Sequence, residues 1–180
     1  MHIDLATTNL ESFAKTAKAY ITFIESLESQ KPTNLYTTLE SILADLNATI
    51  LPVVAVTNEK EHPEFDDLDI GHDRWKEIAN IISNVTANEV SALFELHLES
   101  EPESLEIFYS PAMRVDQLFD DLADIYRDLH DGLTLWNMNS TESKNESSWE
   151  WRYNYDIHWA QHLFNAMKTV HEIRYRLHKD

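Results

Sequence analysis

Only two glycines, Gly71 and Gly132, and five prolines occur in 180 residues. Tight turns between strands lean on these residue types, because glycine reaches positive φ and proline pre-sets a turn. A chain so poor in both has few turns to make, which points to long helices. The expected fold class is all-α, a single-domain helical bundle of five or six helices spanning residues 1–180. A chain of this length can bury roughly 70% of its unfolded surface, enough for a core without staples. The absence of cysteine removes disulfides, thiolate metal sites and cysteine nucleophiles.

Hydrophobic spacing places the helices. Phe13, Ala17, Tyr20, Ile24 and Leu27 recur at three and four residues, predicting a first helix over about 9–29. Lys31-Pro32-Thr33-Asn34 is a break. A second helix starts near Leu35, with a stripe through Leu39, Leu43, Leu46 and Ile50, and Pro52 ends it. Residues 58–72 read as a polar loop. Asp73 can cap a third helix that turns Trp75, Ile78 and Ile82 inward. The stretch 88–98 mixes helical and alternating patterns, with helix favoured. Ser110-Pro111 pairs a capping residue with proline at the first helical position, and opens a fourth helix running towards Trp136. Gly132 falls near its end, as a stop or as an interior residue. Residues 137–147 read as a Ser/Asn/Thr-rich loop. The fifth helix then starts at a capping box formed by Ser147 and Glu150 and runs to about Leu177.

With 32 acidic residues against 14 basic, the formal charge is −18. Phosphate backbones repel such a surface, so no nucleic-acid partner is expected. Anionic membranes are disfavoured for the same reason. No apolar run reaches the ~20 residues that span a bilayer. Met1 to Leu10 lacks the basic and apolar regions of a signal peptide, so the expected location is cytoplasmic. No Gly-rich phosphate loop and no Gly-x-Ser-x-Gly elbow occurs.

Two helices carry more polar detail than a core needs. At about 100° per residue, Leu118, Leu122, Ile125, Leu129, Leu133 and Trp136 form the core stripe of the fourth helix. Asp121, Asp124 and Asp128 run along its edge, either as a solvated ridge or as cation acceptors facing a partner helix. On the fifth helix the same rotation gives a core face of Trp149, Tyr153, Ala160, Leu163, Phe164, Met167 and Val170. Arg152 and Asp156 fall inside that face and are four apart, so they can pair. Trp149, Trp151 and Trp159 then lie on different faces, and Trp151 is a candidate for a contact with a ligand or a second subunit. His158 and His162, also four apart, put two imidazoles on one face, where they can chelate a transition metal. Asp121, Asp124 or His130 would supply a third ligand. The residue after His158 is Trp rather than Glu, so this is not the metalloprotease helix.

These same residues resemble a family of bacterial proteins of uncharacterised function, the domain of unknown function 5063 family. The likeness is carried by Phe119 to Leu129, Gly132-Leu133, Trp149-Glu150-Trp151 and His158 to Leu163. It covers roughly the last third of the chain; before that, only length and helix pattern agree. The resemblance implies a cytoplasmic, mainly helical bacterial protein with no established activity and no assigned catalytic residues. The family pattern often has Gly where this chain has Ala160. It does not demand His at both 158 and 162, which counts against a metal site built on the pair.

The sequence reading is therefore a non-enzymatic interaction or adaptor module with an acidic surface and no cofactor. Its partner is an unidentified protein or a second copy of the chain. The candidate functional cluster is Asp121, Asp124, Asp128, Trp151 and Asp156. The alternative is a metal-dependent helical-bundle enzyme, with a divalent transition metal held by His158, His162 and an acid of the fourth helix.

Overall fold

The computed structural model describes residues 5–30, 32–56, 70–98 and 111–177, and every regular element among them is helical. In chain order these are α1 (Leu5–Glu25), a 3-10 turn (Leu27–Ser29), α2 (Pro32–Ile50), α3 (Gly71–Leu98), α4 (Pro111–Met138), α5 (Thr141–Asn154), a π turn (Tyr155–Trp159) and α6 (Ala160–Leu177). The all-α expectation holds. The stretch 88–98 is the end of α3, and Pro111 opens α4 at the Ser-Pro signal. Most of the expected loop at 58–72 lies outside the described residues.

Two boundaries differ from the sequence reading. The Ser/Asn/Thr-rich stretch is not a loop over 137–147. It is a two-residue corner at Asn139, with φ of 61°, and Ser140. Ser140 caps α5 through a reciprocal bond with Ser143, a box of two serines that a search for Glu or Gln at the third position overlooks. The second difference is the start of α3: it begins at Gly71, so Asp73 lies within its first turn rather than capping it. Gly132 is an interior residue of α4, one of its two expected readings.

Helix α4 is central and packs against α1, α3, α5 and α6, while α2 closes the other side on α1 and α6. Phe13, Tyr20 and Ile24 of α1 and Leu122, Ile125 and Leu129 of α4 are buried in one contiguous core. The Tyr20 hydroxyl donates to the Leu122 carbonyl at 2.7 Å, so this buried phenol is satisfied where α1 crosses α4.

From Thr141 to Leu177 the chain is one continuous rod, and the π turn divides it. A π turn carries one extra residue. Trp151 and Trp159 are eight residues apart, which in a regular helix puts them about 80° out of line. The extra residue takes back about 100°, so both indoles enter the core together. The core face is Trp151, Tyr155, Trp159, Leu163, Ala166 and Val170. This corrects the face read from the sequence: Tyr153 is 44% and Phe164 52% exposed. Trp149 stacks on Tyr153 at 4.6 Å, away from the core indoles. The physical reason is that a uniform 100° rotation does not hold across the π turn. Trp151 is also not a surface anchor. It has no exposed area, meets Phe13 edge-on at 5.0 Å and donates its indole N–H to the Leu129 carbonyl at 3.2 Å. Gly132 makes room for it: a Cβ there would lie 2.1 Å from the indole Nε1.

Candidate metal centre

Asp121, Asp124 and Asp128 are three and four residues apart, so α4 presents them as one row. The π turn and the first turn of α6 lie opposite. The rotation that buries Trp159 also swings His158 and His162 onto that row. His158 donates from Nδ1 to Asp128 Oδ2 at 2.6 Å, and His162 from Nδ1 to Asp121 Oδ1 at 2.8 Å. An ionised carboxylate only accepts, so each Nδ1 must carry the proton. In the neutral tautomer this leaves Nε2 as the free lone pair on both rings. The His162 Nε2 faces Asp124 Oδ2 at 3.5 Å. Two lone pairs then oppose each other, and only a proton or a cation between them makes the approach favourable.

Asp124, His158 and His162 each offer a ligand atom, and these atoms lie within 4.8 Å of one another. Ligands about 2.1 Å from one ion sit roughly 3–3.5 Å apart, so a bound ion would draw the three inwards by about 1 Å. Asp124 is held from one side. Its Oδ1 accepts from the Trp75 indole at 3.0 Å and pairs with the Arg127 guanidinium at 3.2 Å, which leaves Oδ2 towards His162. Arg127 also lies 3.8 Å from Asp128 Oδ1.

The remaining candidates separate from this cluster. Trp151 belongs to the core. Asp156 is exposed and pairs with Arg152 at 2.7 Å, as their spacing allows. His130 lies 3.7 Å from Asp131 Oδ1. The Arg114 side chain lies outside the described residues. Sequence reasoning misses two residues of the centre, Trp75, which reads as core, and Asn165, which bonds Asp121. Trp75 comes from α3, and spacing within one helix carries no signal for it. Asn165 stands three residues after His162 and shares its face, so spacing along α6 could have found it.

Burial pushes the Asp121 carboxyl above its usual range, and the bonds from His162 and Asn165 oppose it. Burial likewise raises Asp128, against the bond from His158. The bond to Asp121 raises the His162 imidazole, helped by the charge of Asp124. Asp121 and His162 thus move in the same direction for different reasons. The carboxylate loses more by leaving water than the shared bond returns, and the imidazole gains from three acids, Asp121, Asp124 and Asp120. The consequences for the metal-free protein agree in sign. The stability from His162 is complete below its unfolded value of about 6.5, and is lost as pH rises through the raised folded value. The cost of ionising Asp121 and Asp128 sets in above about pH 3.9 and is complete once pH passes their raised values. Metal-free protein should therefore melt at a higher temperature near pH 5.5 than near pH 8. Thermal melts across that range check it, with the difference shrinking in His162→Gln.

A family model described as Domain of unknown function (DUF5063) matches residues 5–176. The chain belongs to this family. The likeness visible over the last third thus extends through the first two thirds as well. A crystal structure of protein BF1032 from Bacteroides fragilis is similar in fold, with a TM-score of 0.71 at 23% identity, over 93% of this chain and 92% of that one. No curated protein matches the chain. Among the described residues no helix is long and apolar enough to cross a membrane.

Proposed function

We propose that this member of the family binds a divalent transition metal, with Asp124 Oδ2 and the Nε2 atoms of His158 and His162 as ligands. The observation that carries the reading is the convergence of these three groups from α4, the π turn and α6, each oriented by a further partner. Imidazoles whose other nitrogen donates to a carboxylate are the usual arrangement of metal-bound histidine, because the second bond fixes the tautomer and the ring plane. A chain without cysteine suits metals that accept nitrogen and oxygen donors. Three protein ligands leave at least one coordination position for water or a small molecule.

The experiment is elemental analysis of untagged protein beside a His158→Ala/His162→Ala variant. The expected result is about one equivalent of zinc, iron or manganese in the native chain and none in the variant. Equal trace metal in both, with no uptake on adding these ions, removes the proposal.

A second reading, the non-enzymatic interaction module, is favoured by a different observation. Ile157 of the π turn and Phe164 of α6 stand 62% and 52% exposed on the rod. Large exposed apolar groups suit a protein partner or a second copy. If they join two copies, Ile157→Asp/Phe164→Asp converts a dimer to a monomer by light scattering. A native chain that is already monomeric removes self-association.

A further inference from the structure

We infer that the ion at this centre is redox-active, an iron or manganese ion exchanging between +2 and +3, rather than a zinc ion that activates water. The inference rests on the metal reading above and adds the class of chemistry.

Two features of the geometry carry it. The first is the donor set. Two neutral imidazoles and one carboxylate, with positions left open, are the ligand type suited to iron(II) that meets dioxygen. Asp124 offers a single oxygen, because Trp75 and Arg127 occupy the other. The second is the charge behind the ligands. Both imidazoles give their Nδ1 proton towards an aspartate, at 2.6 and 2.8 Å. A carboxylate pulling on that proton makes the ring a stronger electron donor to the metal. Electron-rich ligands stabilise the higher oxidation state more than the lower. Asp120 adds a fourth carboxylate that interacts with Asp124 and His162, and Arg127 is the guanidinium among them. Glu150 interacts with Asp128 in turn, so the surroundings are strongly anionic, and an ion of charge +3 offsets that charge better than one of charge +2. The same anionic surroundings hold a zinc-bound water back from ionising, which disfavours the hydrolytic alternative.

The step is a one-electron exchange. The bound ion goes from +2 to +3, and dioxygen at an open position takes the electron and becomes superoxide. No bond within the protein forms or breaks.

The test uses full-length protein loaded with iron(II) alone under anaerobic conditions. The iron is titrated with one-electron mediators and followed by the paramagnetic resonance and absorbance of iron(III). Asp121→Asn, Asp128→Asn and the double variant are measured in parallel. The singles keep the test open if the double does not fold. The expected result is a reversible couple in native protein, and a midpoint at least 59 mV higher in the double variant, a tenfold change for one electron, with iron still bound in stoichiometric amount. An unchanged midpoint in variants that hold iron, or native iron(II) that cannot be oxidised reversibly, overturns the inference and leaves the metal reading standing. Native protein that retains no iron, zinc or manganese removes both.

Discussion

Trp151→Ala is expected to cost about 3–5 kcal/mol of stability, the range for emptying a buried aromatic site. At this chain length each kcal/mol shifts the melting temperature by about 2–4 °C, so the midpoint should fall by roughly 6–20 °C. The reason is position. Trp151 is wholly enclosed, against Phe13 and beside Trp136 at 6.3 Å, with its N–H on the Leu129 carbonyl. Its removal empties the junction of α1, α4 and α5 at once. Gly132 gives the experiment its control. In the native background Gly132→Ala forces a methyl to 2.1 Å from the indole, and overpacking of this kind costs about 1–3 kcal/mol. In the Trp151→Ala background the clash is gone. The same substitution then gains the better helix propensity of alanine, about 1 kcal/mol, and fills part of the void. Gly132→Ala should therefore change sign between the two backgrounds. Denaturant titration of all four proteins reads it, and additive effects would show that the two positions do not share the space.

At the proposed metal site, Trp75→Phe is expected to weaken binding about 10–100-fold, the usual effect of losing a group that orients a ligand. The indole donates at 3.0 Å to the oxygen of Asp124 that faces away from the histidines. A hydrogen bond to a charged group contributes about 1.5–3 kcal/mol, consistent with that loss of affinity. Phenylalanine keeps most of the packing of Trp75 against the core edge, so the fold should stay intact while Asp124 loses one of two restraints. Competition against a chelator of known affinity measures the change. Affinity equal to native would mean that Arg127 alone holds the carboxylate.

Much of this architecture is legible in the amino-acid sequence. The helical class follows from two glycines, and the start of α4 from Ser110-Pro111. The row of Asp121, Asp124 and Asp128 and the pairing of His158 with His162 follow from spacing within one helix, because a regular turn fixes which side chains share a face. Which row meets which is not legible. That depends on the rotation of α5 relative to α6, and hydrogen bonds one residue longer than usual leave no residue-type signature. Regular spacing therefore turns Tyr153 and Phe164 inward and leaves Trp151 and Tyr155 out, the reverse of their burial. Trp75 does point towards the interior as its spacing predicts, but its polar edge, not its ring, is what bears on the centre. The Ser140 cap escapes notice because serine stands where a longer acid or amide is the familiar partner.

The π turn amounts to a one-residue insertion in a rod of otherwise regular pitch. Everything downstream of Trp159 is phased by it. A chain one residue shorter between Tyr155 and Trp159 would keep His162, Leu163 and Val170 as letters, yet carry them in a different frame, turned about 100° away from α4. Length at this point is thus constrained as tightly as residue type. When other members of the family are aligned, a gap at 155–159 would say more about whether they share this centre than the presence of the two histidines.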